Sequence, residues 1–162
     1  MEQIQNQEVN VSDVIHLRGC VEMQLQDAKT GKPVGEIIKL NTVVTAGRRW
    51  VLSRLKSTSP ATETISHVAV GTGTVAPTTG DTALGSETVR IAIALFTTTG
   101  LDVNPPSWRA ECQFATNEGN TTLGEIGMFN SSSAGTMLSR ITYTTINKTT
   151  SNTLSVSYTI SN

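Results

Sequence analysis

The chain has 162 residues, a formal net charge of −1 and only 15% charged side chains. This length fits one domain. Neutralising phosphates needs clustered Lys and Arg, so the sparse, balanced charge argues against a nucleic-acid partner. No window approaches the roughly 18 consecutive apolar residues of a membrane helix. Serine and threonine form roughly a quarter of the chain, well above ordinary usage, and threonine favours strands. The composition therefore predicts an all-β protein without membrane or nucleic-acid partners.

The N-terminal residues contain little that could enter a core and no apolar secretory segment. We predict a polar arm at residues 1–14 and a single β-sandwich domain at 15–162. One hypothesis is that residues 1–13 add a strand to the sheet edge of a neighbouring protomer. Two cysteines, Cys20 and Cys112, are too few and too far apart for a disulfide framework, so we expect both to be reduced.

Apolar and polar side chains alternate through most of the chain, which is the pattern of half-buried strands. The first two strands are predicted at 16–25 and 34–44, and a turn cluster at 27–33 joins them as a hairpin. Six more strands, separated by polar turns, are predicted at 65–70, 89–96, 108–114, 122–129, 136–146 and 153–160. This arrangement predicts a β-sandwich, jelly-roll-like in character.

One short segment, near residues 45–57, has a helical pattern. Thr45 is the predicted N-cap, and the buried face is predicted to consist of Val51, Leu52 and Leu55. The rest of the surface is basic, with Arg48, Arg49, Arg54 and Lys56. A basic helix suits a nucleic-acid or membrane contact. In a chain of net charge −1 we favour a helix that closes one end of the sheet and turns its cations to water.

A glycine-rich segment, "VGTGTVAPTTGDTALG" at residues 70–85, follows a predicted strand. A Rossmann fingerprint needs a helix after its glycines, but here Pro77 and Asp81 follow Gly71 and Gly73, and no helical pattern begins. A Walker loop needs a Gly-Lys-Ser/Thr ending, which the segment lacks. Without a helix dipole or a lysine, phosphate binding has no physical basis here. We predict a connecting loop whose glycines provide backbone freedom.

We assign no catalytic, cofactor-binding or metal-binding residue and expect no enzymatic activity. The two histidines, His16 and His67, have no cysteine or carboxylate near them at metal-ligand spacing, and His67 is predicted to lie within a strand. Glu125 interrupts the apolar strand at 122–129, and its carboxylate is predicted to accept N–H bonds from a neighbouring loop. The enzymatic alternative would use Glu125 and Asp81 as a spatially assembled acid pair.

Several segments resemble recurring segments of structural proteins from tailed bacteriophages and prophages. They are "ISHVAVGTGTVAPTTGDTALGSETVR", "TLGEIGMFN", "GTMLSRITY", "INKTTSNTLSVSYTI" and "GEIIKLNTVVTAGRRWVLSRL". The resemblance covers about residues 17 to 160 and implies a virion component, either tail-fibre or tail-associated or a small surface protein of the particle. Longer fibres carry further domains. Because this chain stops at Asn162, we expect a short accessory or cement protein instead of a receptor-binding tip.

Together these observations predict a structural component of a tailed-phage virion, made in the bacterial host cytoplasm. It would lie on the particle exterior as capsid cement or decoration, or as a tail or fibre component. We expect contacts with copies of itself, as a trimer or hexamer, and with the major capsid or tail proteins, without a cofactor. The alternative is a module that binds host-surface glycan or protein through the loops at 71–85 and 98–107.

Overall fold

The computed structural model describes residues 17–55, 64–102 and 105–162. The arm predicted at 1–14 lies outside these residues. The described part contains β-strands, one α-helix and one short 3-10 turn. In chain order they are β1 Arg18–Asp27, β2 Pro33–Leu40, β3 Thr42–Val43, α1 Thr45–Leu55, β4 His67–Gly71, β5 Glu87–Ala92, β6 Leu95–Thr97, the 3-10 turn Thr99–Asp102, β7 Ser107–Phe114, β8 Thr122–Phe129, β9 Met137–Asn147 and β10 Asn152–Ser161.

The strands form two antiparallel five-stranded sheets. Sheet A has the order β2-β1-β10-β7-β6, and sheet B has the order β3-β9-β8-β4-β5. β1 and β10 pair along their whole length, from Arg18 with Ser161 to Asp27 with Asn152. The first and last strands therefore lie side by side in sheet A. The prediction of an all-β sandwich with one helix is confirmed.

The main core lies between the two sheets. β10 shows the clearest alternation in the sequence, and its buried side chains pack in one cluster with residues of both sheets. The buried residues of this strand that join the cluster are Leu154, Val156, Tyr158 and Ile160. Removing apolar area from water is the dominant favourable term in folding. That is why the period-two pattern located this strand.

A second, smaller core lies on the face of sheet B that is turned away from sheet A. It is formed by Val44, Ala69, Leu84, Phe129 and Met137. Residues 72–86, which follow β4, cover this face, and the first turn of α1 reaches it through Ala46. The central strand β8 is therefore buried on both faces. In β8, every residue from Leu123 to Phe129 is buried.

Two predicted strands each divide into two shorter ones, because the chain changes sheets within them. The strand predicted at 34–44 breaks at Asn41, so β2 belongs to sheet A and β3 to sheet B. The strand predicted at 89–96 breaks after β5. There the N–H of Ile93 donates to the Ser66 carbonyl beside sheet B, and the N–H of Ala94 donates to the Glu111 carbonyl in sheet A. Alternation is a local property and does not report which sheet a strand joins.

The predicted helix is present as α1, and residues 56 and 57 of the predicted range lie outside the described part. The N–H of Arg48 donates to the Val44 carbonyl, so Val44 is the residue before the helix and Thr45, the predicted N-cap, is its first residue. The predicted face is wrong at Leu52, which is 59% exposed. Val51 packs against the core as predicted, and Gly47, Trp50 and Arg54 lie on the same face at helical spacing.

Gly47 explains why the helix turns this way. A Cβ at Gly47 would meet the backbone of Leu138, so the helix lies directly on β9. Trp50 and Val51 then reach the main core from its edge. The Arg54 guanidinium carbon lies 4.4 Å from the centre of the Trp50 ring, in a cation–π contact. A glycine contact of this kind carries no hydrophobic signal, and the apolar pattern alone therefore placed Leu52 on the buried face beside Val51.

Candidate functional site

Two features singled out in the sequence, Glu125 and the glycine-rich segment with Asp81, meet on the outer face of sheet B. β8 changes its register with β9 between Leu123 and Glu125, where two steps along β8 correspond to four along β9. On either side of this irregularity, Leu123 packs in the main core and Glu125 lies on the outer face. Glu125 has no exposed surface. It lies beneath residues 71–86, which we call the glycine loop.

The Glu125 carboxylate accepts hydrogen bonds from three backbone N–H groups of the glycine loop. Oε1 accepts from Gly73 at 3.0 Å and from Ser86 at 2.6 Å, and Oε2 accepts from Gly85 at 2.9 Å. The sequence-based prediction for Glu125 is confirmed. The loop does hold an anion on its N–H groups, but this anion is a carboxylate of the same chain.

Arg140 of β9, which is paired with Gly127 two residues after Glu125, completes the arrangement. Its Nε and Nη2 lie 2.9 Å and 2.8 Å from Glu125 Oε2, and its Nη1 lies 2.7 Å from Asp81 Oδ2. Nη2 also donates to the Val75 carbonyl at 3.1 Å. Asp81 in turn accepts from the N–H and hydroxyl of Thr78. We call Glu125, Arg140 and Asp81 the Glu125 cluster; it fixes both the middle and the end of the glycine loop to sheet B.

The glycines of the loop have a different purpose from the one predicted. Gly71, Gly73 and Gly85 do not adopt positive φ, so backbone freedom is not the reason for them. A Cβ at Gly73 would overlap the Glu125 carboxylate, and a Cβ at Gly71 would overlap the Ser86 carbonyl oxygen. These positions are glycine because the loop must approach the carboxylate closely enough for its N–H groups to donate.

The electrostatics of the cluster favour the charged forms. Burial alone would raise the pKa of Glu125, but the N–H groups of Gly85 and Ser86 and the Arg140 guanidinium outweigh it and lower that pKa. For Asp81, burial is likewise outweighed by hydrogen bonds from Thr78 and the charge of Arg140, and its pKa is also lowered. Both carboxylates therefore stay ionised around one guanidinium, which stabilises the loop and leaves Glu125 without a lone pair aimed at solvent.

The remaining candidates are dispersed. His67 begins β4 and its Nδ1 lies 2.8 Å from the Ser66 hydroxyl; burial and then Arg90 lower its pKa. His16 lies outside the described residues. Cys20 and Cys112 are both free thiols, as predicted. Within the described ranges, no three His, Cys, Asp or Glu side chains are grouped as metal ligands, and the helix found there is too short and polar to span a membrane.

The exposed large apolar side chains have a pattern of their own. Most of those in the described residues lie at the two edges of sheet A, on β2 and around β6: Val34, Ile38 and Leu40, and Leu95, Phe96 and Leu101. Two more lie outside sheet A, Leu52 on α1 and Val75 in the glycine loop. Apolar side chains clustered on exposed edge strands are typical of interfaces.

Between the two apolar edges, the outer face of sheet A is a shallow groove of about 570 Å³. Its charged residues are three carboxylates, Glu22, Glu36 and Glu111, and one guanidinium, Arg109. Arg109 Nε lies 2.8 Å from Glu111 and its Nη2 lies 3.8 Å from Glu22. The groove is therefore acidic, and hydroxyl and amide side chains such as Gln113 and Ser155 share it.

Sequence reasoning missed Arg140, which organises the cluster. The signal available was a single cation in the middle of an alternating, largely apolar strand, which resembles an outward-facing residue of an exposed sheet. Only the covering of sheet B by the glycine loop makes that position buried. Lys148 was also missed: it is almost fully buried, and its Nζ donates to the Ala115 carbonyl at 2.7 Å and Asn120 Oδ1 at 3.0 Å.

Comparisons with family models, with curated proteins and with solved structures find no match for this chain.

Proposed function

We propose that this protein is a structural component of a tailed-phage virion. It is a small β-sandwich on the particle exterior, as capsid cement or decoration or as a tail- or fibre-associated subunit, and it acts through contacts between subunits. The observation that carries the proposal is the concentration of exposed apolar side chains at the two edges of sheet A. Isolated exposed apolar residues are ordinary on protein surfaces, whereas contiguous groups mark binding surfaces.

The edge strand β2 supports a role in assembly. It is eight residues long, it has its only proline at its first residue, and Leu40 is 75% exposed. Proteins that stay monomeric shorten, charge or cover such an edge, because its unpaired N–H and C=O groups invite another strand. β2 contains two charged residues, Glu36 and Lys39. The Lys39 ammonium donates to the Thr142 carbonyl of the same chain. This edge suits a partner.

The segments that resemble phage structural proteins support the proposal in another way. Three of these segments lie next to one another in sheet B, at residues 65–90, 122–130 and 135–143. They contain the glycine loop and most of the strands β4, β5, β8 and β9. They contribute Asp81, Glu125 and Arg140, the three residues of the Glu125 cluster. In this proposal Glu125 and Asp81 hold a loop in place and have no catalytic role, and the resembling motifs specify a rigid scaffold whose surface makes the contacts.

Purified particles test the proposal. Quantitative mass spectrometry is expected to find this chain in the virion, in hundreds of copies for a capsid position and in far fewer for a tail position. A density map of the whole particle would then show its neighbours, with the major capsid protein or a tail protein against it. Absence of the chain from washed, intact particles would contradict the proposal.

A second candidate function is binding to a host-surface glycan or protein. It is favoured by the glycine loop, whose backbone is fixed by the Glu125 cluster while Val75 is 77% exposed. A rigid loop with an apolar tip loses little entropy on binding. Binding of the isolated protein to a glycan array or to host cells, removed by Val75→Asp, would support this candidate.

A further inference from the structure

We infer that copies of this chain associate head to tail, with α1 of one copy lying in the acidic groove on sheet A of the next. The inference rests on the proposed function, whose subunit contacts it locates. It depends on two surfaces of the same molecule with opposite charge and matching apolar positions.

The first surface is the exposed side of α1. Thr45, Arg48, Arg49 and Leu52 are all exposed and follow helical spacing, so they form one stripe. The helix contains no acidic residue, and neither Arg48 nor Arg49 pairs with a carboxylate among the described residues. Cations in the N-terminal half of a helix also oppose its dipole. The two arginines therefore do not stabilise the helix, whereas an acidic partner surface would account for their presence.

The second surface is one row of residues that crosses all five strands of sheet A. Strand pairing places Glu22 and Glu111 on either side of a serine, with an apolar residue at each end. In spatial order the row is Ile38, Glu22, Ser157, Glu111 and Leu95. With neighbouring strands about 4.8 Å apart, the row is about 19 Å long, close to the roughly 16 Å length of an 11-residue helix.

The two surfaces complement each other in charge and in polarity. The groove carries three carboxylates against one guanidinium, and the stripe carries two guanidinium groups. Arg48 and Arg49 would meet Glu22 and Glu111, two carboxylates that share the single guanidinium of Arg109, while Leu52 would pack on an apolar end of the row. Complementary potentials of this kind fix the register of an interface and raise its association rate.

The contact requires a second copy. α1 packs on sheet B through Gly47 and the backbone of Leu138, and the groove lies on the face of sheet A that is turned away from sheet B. A helix held in this way cannot reach the groove of its own chain. Two different surfaces in contact make a heterologous interface, which closes into a ring or continues as a filament.

Sedimentation equilibrium of the purified full-length chain tests the inference. We expect a concentration-dependent oligomer whose dissociation constant rises on the order of a hundredfold in R48E/R49E, because like charges then face each other. The matched control is K29E/K32E, which changes net charge by the same amount in the exposed β1–β2 turn and is expected to associate like wild type. Rising salt should weaken wild-type association.

A compensating variant makes the test specific. E22K/E111K, which reverses the row, should also lose association, and the quadruple variant R48E/R49E/E22K/E111K should regain it because the attraction is restored with its sign exchanged. All four side chains are exposed or half-exposed, and thermal unfolding checks that each variant folds. If R48E/R49E failed to fold, R48Q/R49Q would replace it, with a smaller loss of association expected.

Two results would overturn the inference. One is a monomer at every concentration up to the solubility limit; the other is an oligomer that R48E/R49E leaves unchanged. Failure of this inference can be distinguished from failure of the proposed virion role. A chain present in virions but monomeric in solution would remove only the inference, whereas a self-associating chain absent from particles would remove the virion role.

Discussion

Glu125 shows how a single acid can resemble a catalytic residue and have a structural role. Its strand position and its burial are those of an active-site carboxylate, but three N–H groups and a guanidinium already occupy its oxygens. Phosphate-binding loops use the same backbone donors for a ligand. Here the chain supplies the anion itself, so the loop is ordered without a ligand.

Glu125→Gln is expected to lower the free energy of unfolding by about 3 kcal/mol, because it leaves the buried Arg140 with only Asp81 as an ionic partner. Urea unfolding at pH 7 measures the change. Glu36→Gln, on the exposed face of β2, is the control and should stay within about 0.5 kcal/mol of wild type. Equal effects of the two substitutions would contradict the role given to the cluster.

Stability is expected to fall with acid through the same residues. The pKa values of Glu125 and Asp81 are lowered in the folded state from ordinary values of 4.5 and 3.8. Their contribution is therefore complete above the ordinary values and is lost as the pH falls below them. Urea unfolding between pH 7 and pH 3 should show a steep loss in wild type and a shallower one in Glu125→Gln. Parallel curves would count against the cluster as the acid-sensitive element.

Among the elements, the glycine loop depends on close approach. Gly73→Ala is expected to cost about 1–3 kcal/mol, because the new Cβ would overlap the Glu125 carboxylate and displace the loop. Gly80→Ala in the same loop is the matched control, since its nearest neighbour would be Thr78 Oγ1 at an ordinary 3.8 Å. Thermal unfolding of the two variants compares them, and an equally stable Gly73→Ala would mean that the loop approaches less closely.

For α1, the buried face found in the structure differs from the predicted one at Leu52, which is exposed while Trp50 packs against the core, and two substitutions test this difference. Trp50→Ala is expected to lower the free energy of unfolding by about 2 kcal/mol, through lost packing and the lost contact with Arg54. Leu52→Ala should change stability by less than about 0.5 kcal/mol, yet weaken self-association. Urea unfolding measures the two changes in stability, and sedimentation equilibrium measures the self-association. A larger loss of stability in Leu52→Ala than in Trp50→Ala would contradict the buried face found in the structure.

At the scale of the whole molecule, the two sheets have different roles. The centre of sheet B is covered on both faces and contains the Glu125 cluster, whereas sheet A presents an acidic groove between two apolar edges. A layered fold needs only one buried face for each sheet. The extra cover buries the centre of sheet B from its second side, whereas the outer face of sheet A is open.

Deleting residues 1–13 is expected to lower the mass of the oligomer, on the hypothesis that the arm adds a strand to a neighbouring protomer. The described chain begins beside β1, next to the end of the apolar edge strand β2. Light scattering of full-length and shortened chains measures the mass, and heating of particles reports their stability. An unchanged mass together with unchanged particle stability would argue against a role for the arm.

The sequence alone determined the class of the fold and the location of most strands, because alternating burial repeats every two residues and is visible locally. It also located the hairpin, the helix and the structural role of Glu125, a lone acid in an apolar strand. Tertiary structure decided the rest: which sheet each half of a divided strand joins, the helix face that packs through Gly47, and the burial of Arg140. These depend on contacts between residues far apart in the chain, and a local pattern contains no record of which segment will cover it.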